Sequence, residues 1–245
     1  MIIRYFIYYI IFFCIVFTQN TQKFIYKTKF KSLKVGTTEI TIKKHESNNQ
    51  QTIIMIESFS NKLIDLIYKL RHHATLVVND DDYSLLATTQ KVQQGSYIDS
   101  YNATINYDEK TIYYKNLLLD NMTEDDIAEY IIPIDGKVYD PFSIVYYLQN
   151  LPLNTNQQHL FTYYSRKNIK SLKLEVLNTE QIITPYITST CYLVVPYSNN
   201  DKYLLKNKGE MKIWYTADSK QIPIKIQQKM RHGIMELVLI KYIEK

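Results

Sequence analysis

Met211-Lys212-Ile213-Trp214-Tyr215-Thr216, followed by Ala217-Asp218-Ser219-Lys220 and Ile222-Pro223-Ile224-Lys225-Ile226-Gln227, decides the architecture of this chain. Met211, Ile213 and Tyr215 alternate with Lys212, Trp214 and Thr216, the two-residue period of a strand with unlike faces. The segment from Ala217 to Lys220 is turn chemistry, and Ile222, Ile224 and Ile226 resume the alternation. Arg231-His232-Gly233 supplies a second turn, where glycine accepts positive φ without a side-chain penalty. Ile234 to Ile240 then returns as an apolar strand broken only by Glu236. The stretch predicts a three-stranded antiparallel meander with one buried face and no reaction chemistry of its own.

Upstream, the same rhythm recurs. Alternation runs through Phe24 to Lys44, Gln51 to Ser58, Ala74 to Val78, Tyr83 to Lys91, Tyr97 to Tyr107 and Thr111 to Leu119. Polar turns such as Asn79-Asp80-Asp81-Asp82 and Gln94-Gly95 separate these runs, a pattern of sandwiches and barrels. Ser60 to His73 fits two periods. Leu63, Ile64, Ile67 and Leu70 suit a helix capped by Ser60, while Ile64, Leu66, Tyr68 and Leu70 suit a strand. Strands on both sides favour the strand.

Asp120 to Tyr130 is acidic and linker-like. The clearest helix follows, with Asp140 as N-cap, Pro141 at the first position, and Phe142, Val145, Tyr146 and Leu148 on one face. Asn150-Leu151-Pro152 stops it. Strands are expected again over Gln158 to Tyr164, Ser171 to Leu177, Ile182 to Ile183 and Thr190 to Val195. With no shift in composition along the way, residues 21–245 form one β-rich domain.

Residues 1–20 read differently. Arg4 precedes an apolar run from Tyr5 to Phe17, too short for a comfortable membrane-spanning helix but suited to the core of a signal peptide. Export to the periplasm is expected, with anchoring through residues 5–17 as the alternative. The chain of 245 residues carries a formal charge of +5, but its Lys and Arg are scattered among Asp and Glu. Nucleic acid, which needs a dense basic stripe, is therefore not an expected partner. Of two cysteines, Cys14 lies in the leading run, leaving Cys191 in an apolar strand as an inert small hydrophobe.

The residues around the helix carry a resemblance. Asp140-Pro141-Phe142-Ser143-Ile144-Val145-Tyr146-Tyr147-Leu148 and Gly209-Glu210-Met211-Lys212-Ile213-Trp214, with Asp218, Pro223 and Gly233 after them, resemble motifs of the bacterial exported family DUF3108. Tyr68-Lys69-Leu70-Arg71 and Gln94-Gly95-Ser96-Tyr97 fall where that family has similar strands. Gln149 stands where the family commonly has Arg. The resemblance implies a single curved antiparallel sheet, an open half-barrel similar to lipoprotein carriers, with a helix across its concave face. It brings no catalytic residues.

Chemistry-bearing residues are few. His72 and His73 are adjacent, so on a strand they point to opposite faces and cannot share a metal ion. Asp80-Asp81-Asp82 lacks the later ligands of a calcium loop and reads as a solvated turn. No metal, cofactor or catalytic site is expected. Asp140 is accounted for as a helix cap. Phe142, Tyr146 and Trp214 are the residues expected to line a ligand surface, with Trp214 alternatively packed under the helix. The expected function is a non-enzymatic exported protein holding a lipid or other apolar ligand. The alternative is a structural or protein-interaction module of the cell envelope with a filled core and an envelope protein as partner.

Overall fold

A computed structural model of the chain describes residues 21–117, 127–198, 211–230 and 232–245. The N-terminal run expected to direct export lies outside the described residues, as do most of the acidic linker and Arg231. Fourteen strands form one antiparallel sheet that is not closed into a barrel. They are β1 (Gln22–Phe30), β2 (Leu33–His45), β3 (Asn48–Ser60), β4 (Leu70–Asn79), β5 (Leu85–Gln94), β6 (Tyr97–Asn106), β7 (Thr111–Asn116) and β8 (Glu129–Pro133). After the helix come β9 (Gln158–Ser165), β10 (Asn168–Ile183), β11 (Thr188–Ser198), β12 (Met211–Thr216), β13 (Pro223–Met230) and β14 (Gly233–Glu244).

The spatial order is β8 to β1 in descending sequence, then β14 down to β9. Two meanders are thus joined at their oldest and youngest strands. Gln22 faces Glu244 across that junction, and Thr21 and Lys245 exchange two backbone hydrogen bonds of 3.0 Å. Period-two alternation puts Phe24 and Tyr26, Ile40 and Ile42, Ile54 and Ile56, and Leu76 and Val78 into one buried layer. Shifts of register at Ile25/Tyr26, Val77/Val78, Val176/Thr179 and Trp214/Tyr215 add the twist that bulges bring.

The terminal meander forms as its alternation dictates. Asp218 Oδ1 accepts from the backbone N–H of Lys220 and of Gln221, fixing the first turn. Four readings are corrected. Phe24 to Lys44 is two strands, joined by Lys31 and Ser32 at φ 47° and 68°, the two positive values that a two-residue hairpin of type I′ requires. Ser60 to His73 is not one strand: α1 (Lys62–Asp65) is capped by Asn61, whose side chain accepts from the N–H of Leu63 and Ile64, and β4 starts at Leu70. The separate strands expected at Ser171 and Ile182 are one strand, β10, continued through its bulge. Glu129 and Tyr130, read as the end of a linker, open edge strand β8, which runs on to Pro133 at an edge where no ladder donor is missed.

The helix α2 (Pro141–Tyr147) begins as its sequence prescribes and continues into a 3-10 turn, Leu148–Asn150. Its surroundings show how the sheet bends. Asp140 Oδ2 accepts from Gln90 Nε2 of β5 at 3.3 Å, while the adjacent Tyr139 exchanges backbone hydrogen bonds with Thr162 and Tyr164 of β9. In the strand order β5 and β9 stand ten steps apart. Laid flat, ten steps at about 4.8 Å would separate them by about 48 Å. Two neighbouring residues reach both, so the sheet is strongly rolled. Its edges β8 and β9 stay unpaired with each other, and the segment Val138–Asp140 runs between β9 and β5, with Val138 O accepting from Leu85 N at 2.8 Å. Gly36 sits at the tightest approach: a Cβ there would lie 2.2 Å from the carbonyl oxygen of Phe59.

Candidate ligand cavities around the helix

Helix α2 is only seven residues long, and Ser143, Ile144, Val145 and Tyr146 are all buried. So short a helix is held by its surroundings rather than by its own propensity. Asp140 makes a capping box with Ser143: its Oδ1 accepts from Phe142 N at 2.8 Å, and Ser143 Oγ accepts from Asp140 N at 3.1 Å. The opposite end is held by Gln221, which precedes β13. Its Nε2 donates to the carbonyls of Leu151, Gln149 and Leu148 at 2.6, 3.0 and 3.2 Å, satisfying acceptors that the helix leaves open. Between the ends, three tyrosines fill the middle. Tyr215 donates its hydroxyl to Val145 O at 2.8 Å, and Tyr26 donates to Pro223 O at 2.8 Å while its oxygen lies 3.2 Å from that of Tyr146. Burial pushes all three phenols well above their ordinary range.

On either side of this plug lies a cavity, and the two differ in chemistry. The first, about 180 Å³, is walled by Ile144, Val145 and Leu148 of the helix segment and by Leu172, Leu174 and Ile213 of the sheet. Pro141, Tyr163, Pro196 and Met211 complete it, so among the described residues no charged side chain lines it. The second, about 300 Å³, lies by the start of the helix against β1 to β6 and the β9–β10 turn. Its sheet wall carries a row of polar side chains, Thr28, Thr38, Ser58, His72 and Gln90, set among the apolar Leu70, Val92, Met235 and Leu237. Thr38 Oγ1 lies 3.2 Å from Thr28 Oγ1 and 3.0 Å from Ser58 Oγ, a ladder of hydroxyls across three strands.

Besides the Tyr101 phenol, three ionisable groups face the second cavity. Asp140 is 3% exposed, and burial pushes its carboxyl up to about 7 against the hydrogen bonds it accepts. Burial likewise lowers the His72 pKa, and the Nε2 of this imidazole has no hydrogen-bond partner. Arg166, in the β9–β10 turn, keeps its Nε 3.3 Å from Asp99 Oδ2 and stacks over the Tyr97 ring at 5.4 Å.

The three expected lining residues do not come together. Phe142 walls the polar cavity, with its ring 5.9 Å from that of His72. Tyr146 belongs to the plug, its ring 4.9 Å from that of Phe24. Trp214 is on the other face of β12. Ile213 and Tyr215 point at the helix, so alternation sends Trp214 away. There its Nε1 donates to Glu180 Oε2 at 3.1 Å, and Lys225 Nζ lies 5.0 Å from the ring centroid. His72 and His73 do point to opposite faces, His73 Nδ1 lying 3.6 Å from Glu57. Cys191 is fully buried, and burial pushes its thiol up to about 11. Among the described residues no group of three or more His, Cys, Asp or Glu is placed to hold a metal ion. Among them, too, no helix is long and apolar enough to cross a membrane.

Sequence reasoning missed the polar row. Its signal was present: in each of β1 to β4 the apolar alternation on the inner face ends in Thr28, Thr38, Ser58 or His72. Only the register shows that Thr38, Ser58 and His72 lie side by side, with Thr28 on the diagonal from Thr38.

Fold and cavities define a mainly β protein, one rolled and unclosed sheet organised about a short capped helix. The chain belongs to the family described as protein of unknown function DUF3108, whose model matches residues 25–239. Among solved structures it is similar to a beta-barrel-like protein of domain of unknown function DUF1849 from Brucella abortus. That match has a TM-score of 0.60 and 9% identity, covering 92% of this chain and 98% of the other. At that identity the likeness concerns the fold alone. Comparison with the curated proteins finds none that matches.

Proposed function

We propose that the protein is an exported, non-enzymatic binder of a lipid or lipid-linked group, held between an open half-barrel and the helix across its concave face. The observation that carries this reading is the hydrocarbon-walled cavity of about 180 Å³ between α2 and strands β9 to β12. The space is partly open to the surface and its lining is almost wholly apolar, which suits an aliphatic chain better than water. Export is supported by Arg4 and the apolar run from Tyr5 to Phe17. The test is extraction of protein purified without detergent, followed by mass spectrometry. A lipid at near-stoichiometric ratio is the expected result. Absence of any lipid, together with failure to bind 1-octanol, sinks the reading.

A second reading, an interaction module of the cell envelope, is favoured by a different feature. Leu63, Leu66 and Ile67, on and just after α1, are 76%, 84% and 87% exposed. Aliphatic side chains clustered this openly mark contact surfaces. If Leu66→Asp abolishes co-purification of an envelope protein while lipid content stays unchanged, this reading gains and the first is unaffected.

A further inference from the structure

Resting on the lipid-binding reading, we infer that the polar cavity receives the uncharged, hydroxyl-rich head of the ligand whose chain lies in the apolar one. The two spaces are neighbours on three counts. Pro141 walls both. Along β9, Tyr163 faces the apolar cavity and Ser165, two residues on, faces the polar one. Across the sheet, Ile213 of the apolar wall pairs with Ile226, which pairs with Leu237 of the polar wall. A single amphiphile bent around the start of α2 would touch both.

The lining selects the head. It offers the hydroxyls of Thr28, Thr38 and Ser58, the Gln90 amide and the unpartnered His72 Nε2, a set of short-range donors and acceptors. Hydroxyl groups satisfy such a set because each both donates and accepts. Phe142 and Tyr101 add ring faces against which the C–H surface of a sugar or polyol packs. Charge is unwelcome in either sign. Arg166 is already paired with Asp99, which leaves it a weaker claim on an anionic head. An ammonium head would meet the Arg166 guanidinium in the same space. The His72 Nε2 atom is the strongest pointer, because a buried polar atom left without a partner costs free energy until something bonds to it.

The test is calorimetric titration of the full chain with four eight-carbon probes below their micelle concentrations: octyl glucoside, octanoate, octylamine and 1-octanol. Octyl glucoside is expected to bind about tenfold tighter than octanoate or octylamine, the margin that one or two net hydrogen bonds supply. Gln90→Leu combined with Ser58→Ala should erase that margin and leave octanol affinity unchanged, which also shows that the variant is folded. Ser58→Ala alone should narrow it. Equal binding of all four probes, tighter binding of octanoate or octylamine, or a margin that survives both variants overturns the head assignment and leaves chain binding standing. No binding of any probe, octanol included, removes the chain reading and this inference together.

Discussion

The two flanks of helix α2 are built from the same strand rhythm and yet end in different chemistry. Toward β9 to β12 every described side chain lining the cavity is free of charge and nearly all are hydrocarbon or aromatic. Toward β1 to β6 the inner row turns to Thr28, Thr38, Ser58, His72 and Gln90. The difference teaches that a rolled sheet sets its interior row by row, not strand by strand. Each of β1 to β4 is apolar at its middle and polar at one end, and register stacks those ends into one patch. Four predictions break or sharpen this contrast.

The largest effect is expected on the apolar flank. Leu174 is 2% exposed and borders the empty space, so Leu174→Ala deletes buried methyl groups and enlarges a cavity that water does not favour. A loss of about 2–5 kcal/mol in urea unfolding is expected. A loss under about 1 kcal/mol would mean that the strand collapses onto the helix, and that this flank is soft rather than a formed cavity.

Next comes Asp140, at the boundary between the flanks. Its carboxyl is raised from the ordinary 3.8 to about 7 in the folded chain, so the folded state keeps a proton that the unfolded state releases between those values. Stability from this group is full below about pH 4 and is lost as pH rises through about 7, by up to about 4 kcal/mol. Asp65 behaves in the opposite sense: the Arg71 guanidinium and the Ser60 hydroxyl hold it at about 2, so its contribution is lost only in strong acid. Asp140→Asn, which can still cap the helix, should flatten the slope between pH 4 and 7 and leave the acid limb alone. Urea midpoints measured across that range decide it. An unchanged slope would show the carboxyl to be hydrated by the polar cavity.

How much of this was legible can be argued residue by residue. Asp140 and Pro141 fix the start of α2 locally, because a cap and a proline at the first position act within one turn. The β12–β14 meander was equally local. The Lys31-Ser32 turn was not, since neither residue is a usual bearer of positive φ and only the pairing of Phe30 with Leu33 shows it. Edge strand β8 is five residues whose side chains are mostly exposed, so it carries no alternation to detect. The side of Trp214 was readable from alternation, but its destination beside Glu180 depends on two neighbouring strands. Gln221, which holds the helix end from 70 residues away, gives no local signal at all. Pairing across long sequence separations placed the candidate site, and spacing along the chain does not encode it.

Tyr26→Phe tests the plug that keeps the flanks apart. It removes the hydroxyl that donates to Pro223 O and meets Tyr146 OH, leaving buried polar atoms without a partner. A cost of about 1–3 kcal/mol is expected from thermal unfolding. If the variant is neutral, the Tyr26 hydroxyl contributes nothing to holding the plug, and ring packing alone fills the space between the flanks.

The smallest effect belongs to the polar flank. Ser58→Ala deletes one hydroxyl from the ladder and strands Thr38 Oγ1 on that side. In a dry interior an orphaned group costs about 1–3 kcal/mol. Here the ladder borders a space of about 300 Å³ with other polar groups around it, roomy enough for water to bond in place of the lost oxygen. The expected cost is therefore under about 1 kcal/mol, smaller than Leu174→Ala by a wide margin although both positions face the same helix. A cost near 3 kcal/mol would place the ladder in a water-excluded core, and the two flanks would then differ in the atoms that line them but not in what fills them.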